Sequence, residues 1–167
     1  MMEMTRLLAL DVGSARIGVA VSDATRLLAS PYTTLHVSHD ETQVWDALQR
    51  LIEETDAVGL VIGLPISLDG QIHAQGERIL AFVERLKQHI STPITFWDER
   101  LSTVEAERLL RERGGGQGQR QRLQGRQRGQ RRSQKKRRNE QEIDALAAAV
   151  ILQEYLDNQR STTGEYI

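Results

Sequence analysis

Two adjacent carboxylates, Asp98 and Glu99, stand where a short apolar run ends and a helical pattern begins. Ile94-Thr95-Phe96-Trp97, just after Pro93, reads as a strand. Ser102 and Glu105 have the S-x-x-E spacing of a capping box, so the pattern predicts a helix over Thr103 to Arg113. A strand therefore delivers both acids to its carboxyl end, the place where ligand chemistry sits in open α/β sheets. Asp11 closes an earlier apolar run, Arg6 to Asp11, in the same way. An aspartate ahead of Gly13 is also a common turn residue, but its position at a second strand end favours a functional role.

A fourth acid is set differently. At 100° per residue, Ile143, Leu146, Ala147, Ala148, Val150, Ile151, Leu152 and Tyr155 make one wide apolar helix face, and Asp144 lies inside it, in line with Ala148, Ile151 and Tyr155. The helix dipole favours an acid near an N-terminus, yet it does not place one on the buried side. A carboxylate on a core stripe is costly unless it is paired or binds a metal. Oxygen donors without His or Cys suit Mg²⁺ or Mn²⁺ better than zinc. Two such ions about 4 Å apart activate water and stabilise the leaving oxygen in phosphodiester cleavage. The pattern leaves open one ion or two. It also leaves open which of Asp98 and Glu99 is the ligand, because neighbouring strand residues point to opposite faces.

The elements that must position these acids follow in order. Arg6 to Asp11 and Arg16 to Val21 read as a hairpin, and Tyr32 to Val37 as a third strand after Pro31. Asp40 to Thr55 has helical spacing with a cap from Asp40 and Gln43, and Ala57 to Ile62 is a continuous apolar strand. Gln71 to Ile90 reads as a long helix with Ile72 on its core side. A last helix is expected from Asn139 to about Asp157, with a frayed tail over residues 158–167. A meander followed by β-α units predicts an α/β fold: a five-stranded mixed sheet with helices on both faces, in one domain over residues 1–157. Gly13 and Gly18 are expected to allow tight backbone geometry beside the acids. The four histidines show no ligand spacing, and Trp97 reads as a packing residue.

The net charge of -1 hides a strong asymmetry. Residues 114–138 hold eight Arg, two Lys and no acid, so this segment carries +10 and leaves -11 for the remainder. It is built almost wholly from Gly, Gln and Arg, which predicts a disordered arm that contacts nucleic acid through Arg120, Arg122, Arg126, Arg128, Arg131, Arg132, Lys135, Lys136, Arg137 and Arg138. Arg16 and Arg100 either contact phosphate or pair with the site acids. The chain has no cysteine, and no apolar run approaches the ~20 residues that span a bilayer. A cytoplasmic protein, monomer or homodimer, is the expectation.

Asp11 to Val21 (DVGSARIGVAV), Gly63-Leu64-Pro65 with Asp69-Gly70, Asp98 to Ala106 (DERLSTVEA), and Asp144 with Ala148 to Leu152 resemble the YqgF/RuvX family. The resemblance covers roughly residues 5 to 157 outside the arm, and the DERLSTVEA run is its most specific part. It implies a ribonuclease H-like fold related to RuvC-type Holliday-junction resolvases. It implies a nuclease that matures the 5′ end of pre-16S ribosomal RNA, with Asp11, the Asp98-Glu99 pair and Asp144 as the catalytic, metal-binding acids. A metal-polarised water, positioned or deprotonated by a site carboxylate, would attack phosphorus in line. The family usually has a shorter basic loop where this chain has its long arm. Branched DNA is the alternative substrate, and a non-catalytic ribosome-assembly factor that kept the fold is the alternative function.

Overall fold

The computed structural model describes residues 4–66, 69–98 and 128–162, with side chains from residue 133 onward in the last segment. The expected hairpin forms from β1 (Arg6–Val12) and β2 (Arg16–Ser22). Gly13 N donates to Arg16 O at 2.8 Å, closing the turn. A Cβ on Gly13 would stand 2.7 Å from that oxygen, closer than a side chain can approach. After the hairpin come β3 (Ala29–His36), α1 (Thr42–Thr55), β4 (Ala57–Leu64), α2 (Ala74–Leu86), β5 (Ile94–Asp98) and a helix here called α3 (Arg128–Thr162). The strands form one sheet in the order β3-β2-β1-β4-β5. The β1/β2 and β2/β3 pairs are antiparallel, and the β1/β4 and β4/β5 pairs are parallel.

Side-chain alternation divides the core in two. Leu8, Leu10 and Val12 of β1 join Leu60, Ile62 and Leu64 of β4 under α1 and α2, where Val44, Leu48, Ile79 and Val83 close the layer. On the opposite face Leu7, Ala9, Ala20 and Val61 pack against Ala148, Ile151, Leu152 and Leu156 of α3. Helices therefore cover both faces, as expected. No helix among the described residues is long and apolar enough to cross a membrane.

Several boundaries differ from the sequence pattern. β3 runs through Pro31, beginning before the expected Tyr32; proline is tolerated because β3 is an edge strand, and the register shifts beside it. α1 starts at Thr42 because the Asp40 carboxylate accepts the Thr42 amide at 3.0 Å from outside the helix. α2 starts at Ala74, beyond the expected Gln71, because Gln71 N is held by Asp69 Oδ1 at 3.0 Å in the preceding turn. Ile72 is consequently 37% exposed and outside the core. The same helix stops at Leu86, where bonds such as His89 N to Leu86 O tighten the last turn.

The largest correction concerns the basic segment. Its composition predicts disorder to Arg138, yet α3 begins at Arg128. Arg, Lys and Gln are good helix formers, and Lys136–Glu140 and Arg138–Glu142 pair one turn apart, at 4.0 and 3.4 Å. The helix also continues past the expected end at Asp157 to Thr162, supported by hydroxyl bonds from Ser161 and Thr162 to the preceding turn and by an Arg160–Asp157 pair. The expected helix over 103–113 and the arm residues 114–127 lie outside the described residues.

One close approach sets how α3 seats on the sheet. A Cβ on Gly18 would lie 1.9 Å from the backbone oxygen of Asp144. The Cβ is fixed by the β2 backbone and the oxygen belongs to the α3 backbone, so neither can swing away. Gly18→Ala is expected to destabilise the chain by roughly 2 kcal/mol or more, read as a lower urea midpoint. An alanine variant as stable as the parent would mean that α3 does not rest on β2 at this point.

Candidate active site

Asp11 belongs to the half of β1 that faces α3, since Leu8, Leu10 and Val12 point the other way. Its ladder partner is Gly18, the glycine beneath Asp144. The close approach of α3 thus brings Asp144 to the carboxyl end of β1. Asp144 is half-buried on the sheet-facing stripe, above the buried Ala148, Ile151 and Leu152. The two acids expected from sequence are neighbours in space. Among the described residues no donor is hydrogen-bonded to the Asp11 carboxylate.

Burial, and secondly the charge of Asp144, push the Asp11 carboxyl up from 3.8 to about 6. Arg16 lies on the other side of Asp144. Its Nε donates to Asp144 Oδ2 at 2.6 Å, and Nη1 reaches Glu140 Oε2 at 3.4 Å. Hydrogen bonding and charge attraction from Asp144 raise the Arg16 pKa in turn. Of the two roles open to Arg16, pairing with a site acid is the one observed. The sequence pattern does not single out Glu140; its signal is its position four residues before Asp144, which puts both acids on one helix face.

Asp98 is the last residue of β5, opposite Leu64 of β4. Phe96 packs against the α1/α2 core and Trp97 against the α3 core. Strand alternation puts position 98 on the same side of β5 as Phe96, the side opposite to Trp97. Trp97 is a packing residue as expected, edge-on to Tyr155 at 5.9 Å. Among the described residues no three acids or histidines gather to hold a metal ion. His36 bonds Gln141 and His89 stacks on Trp45, so both are occupied in packing. Glu99, Arg100, Arg120, Arg122 and Arg126 lie outside the described residues. Arg128, Arg131 and Arg132 lie on the helical backbone of α3, and Lys135, Lys136, Arg137 and Arg138 are exposed along it.

The chain is similar to several known proteins. A family model described as "RuvX: Holliday junction resolvase" matches residues 5–126. A Thermoanaerobacter pseudethanolicus protein named "Putative pre-16S rRNA nuclease" is 37% identical over 156 residues, which cover 93% of this chain and 99% of that one. A protein of the same name from Roseiflexus sp. is 40% identical over 161 residues, covering 95% and 98%. Among solved structures, Thermus thermophilus RuvC in complex with a Holliday junction substrate superposes with a TM-score of 0.53 at 14% identity, covering 95% of this chain and 97% of that one. At this identity the likeness is of fold, and the fold is the expected ribonuclease H-like one.

The raised Asp11 pKa has a measurable sign. An acid whose folded pKa exceeds its unfolded value holds its proton more tightly in the folded chain. That contribution to stability is full below about pH 4 and is lost as pH rises through about 6. Above pH 6 the ionised carboxylate costs about 3 kcal/mol. Metal-free Asp11→Asn is therefore expected to exceed the parent in stability by about 2–3 kcal/mol at pH 7 and to lose that advantage at pH 4. Urea denaturation across pH 4–8 measures both. Equal stability at pH 7 would show that the carboxyl is not held as described.

Proposed function

The chain belongs to the RuvX family of Holliday junction resolvases, and from that premise we propose that it is a divalent-metal-dependent endonuclease acting in 5′-end maturation of pre-16S ribosomal RNA. The observation that carries the reading is the Asp11–Asp144 pair: two carboxylates at the carboxyl end of β1, one of them without a donor among the described residues and with its pKa raised to about 6. A protein gains nothing in folding from such a pair, and a hard cation held by the two acids would offset the cost of their burial and repulsion. The donor set is all oxygen and fits Mg²⁺ or Mn²⁺. Asp11 and Asp144 would hold the ion, with Asp98 or Glu99 as the further ligand. When bound, the ion supplies a polarised water and stabilises charge on the leaving oxygen. The RNA substrate follows the names of the relatives, which cover nearly the whole chain.

The strand would be gripped by the basic stretch of α3. At 1.5 Å per residue, Lys136 lies about 12 Å along the helix axis from Asp144. Phosphates bound to Lys135, Lys136, Arg137 and Arg138 are thereby held at a set offset from the acids.

The first test is cleavage of precursor ribosomal RNA beside a four-way DNA junction, in Mg²⁺, in Mn²⁺ and in chelator. Asp11→Asn and Asp144→Asn are expected to lose roughly 100-fold or more in single-turnover rate, the scale of losing a group on which metal catalysis rests. Asp98→Asn and Glu99→Gln, made separately, tell which of the two is the further ligand: the one that is should lose activity on the same scale. Parent protein that binds RNA but cleaves neither substrate would make this chain a binding factor, and cleavage of the junction alone would move the substrate to DNA.

The second test concerns the grip. Replacing the seven cations from Arg128 to Arg138 with glutamine preserves helix propensity while removing charge. RNA affinity should then fall at low salt. The log–log salt slope should flatten by about 0.7–0.9 for each phosphate that the variant no longer neutralises. The cleavage rate of the saturated complex should change by less than a few-fold. An unchanged slope would move the basic grip elsewhere in the chain.

A further inference from the structure

We propose that Arg16 is the positioning residue of the acid pair: by holding Oδ2 of Asp144 it fixes the carboxylate and leaves Oδ1 for the cation that Asp11 and Asp144 would hold, and so sets the affinity of the site for metal. This rests on the metal-dependent reading above and assigns to Arg16 a task that it performs through Asp144.

Arg16 is the first residue of β2 and follows the tight turn closed by Gly13. Its backbone is thus fixed at the same strand end as Asp11. Its guanidinium spans two carboxylates one helical turn apart, with Nε on Asp144 at 2.6 Å and Nη1 on Glu140 at 3.4 Å. A charged donor at 2.6 Å is at the short end for N–H···O bonds and fixes the direction of the carboxylate. Arg16 and Gly18 lie two apart on β2, on the same face. One strand therefore sets Asp144 twice, the glycine by admitting its backbone and the arginine by orienting its side chain. With Oδ2 engaged, Oδ1 is the oxygen to which nothing is hydrogen-bonded among the described residues. The Asp144 side chain is only 21% exposed, so water competes weakly for that arrangement. Glu140 is itself near Lys136, at 4.0 Å. The acids on this face of α3 are thus flanked by cations, while among the described residues no cation pairs with Asp11.

The sign of the effect separates positioning from bare charge. Removing a cation beside a metal site tightens metal binding if electrostatics alone acts. Removing an orienting partner loosens it, by about 10-fold or more for a group that holds a ligand from behind. Metal-free full-length chains, shown to be folded by circular dichroism at about 25 °C, are titrated with Mn²⁺, and free ion is followed by its electron paramagnetic resonance signal. Arg16→Gln is expected to raise the Mn²⁺ Kd by roughly 5-fold or more. Arg16→Lys, which keeps the charge but loses the Nε/Nη1 fork, is expected to raise it in the same direction. A Kd for Arg16→Gln that is lower than the parent's, or within about 2-fold of it, overturns the proposal, as does an Arg16→Lys chain indistinguishable from the parent. If Arg16→Gln does not fold, Arg16→Lys decides alone. Parent protein that binds no Mn²⁺, or whose binding survives Asp144→Asn, overturns the metal reading and this inference with it. Parent binding that needs Asp144 but ignores Arg16 overturns this inference only.

Discussion

The seat of α3 on β2 rests on a missing side chain. With 1.9 Å between a hypothetical Gly18 Cβ and the Asp144 oxygen, any other residue at 18 would lift the helix or bend the strand. The rest of that interface is built to match, with Ala9 and Ala20 on the sheet and Ala148 on the helix all fully buried. Small residues on both surfaces let backbones approach, and the approach carries Asp144 to the end of β1 where Asp11 stands. The acids meet because the packing beneath them is thin. Larger side chains at these positions would bury more apolar area and keep the acids apart.

That arrangement creates an electrostatic conflict within an otherwise ordinary core. The opposite face uses large residues such as Leu8, Leu10, Leu60 and Ile62, all essentially buried, each contributing about 1.5–3 kcal/mol. A few such residues offset the cost of an ionised Asp11. Arg16 settles half of the conflict by pairing with Asp144 and Glu140, and Asp11 is left with the other half. Such unresolved charge, confined to one strand end in a chain whose other described ion pairs lie on the surface, is what makes this strand end the candidate site.

Much of this is legible in the residues themselves. Period-2 and unbroken apolar runs delimit β1, β2, β4 and β5 nearly to the residue, and the helical wheel puts Asp144 on the inner stripe with Ala148 and Ile151. Local side-chain bonds escape the pattern: Asp69 and Asp40 hold the chain ahead of α2 and α1 and delay both helices, leaving Ile72 outside the core. The basic stretch departs from expectation for a different reason. Its composition lacks apolar residues, which predicts that it packs on nothing. Packing is not required when a sequence rich in Arg, Lys and Gln extends a helix already anchored from Ala145 onward. Helix nucleation is the unfavourable step, and here the anchored half supplies the nucleus. The face of Asp98 is also beyond the sequence, because it depends on which side Phe96 and Trp97 choose to pack.

The helical extension changes how gripping and cutting are related in the proposed function. A flexible arm would hold phosphates near the acids only as an average over many conformations, and the entropy lost in ordering it would weaken binding. A helix continuous from Arg128 to Thr162 places its cations and Asp144 on one rod. Displacing either moves the other by the same amount. Glu140 and Asp144 then serve as the joint where that rod is clamped to β2 through Arg16. A strand drawn onto the cations would pull on a helix held to the sheet at Glu140 and Asp144 by Arg16 and at Gln141 by Thr34 and His36, and these contacts must be firm for the offset between grip and acids to hold. Of these contacts Arg16 is the one that also holds the Asp144 carboxylate, so in the proposed function it couples the seat of the helix to the geometry of the acids.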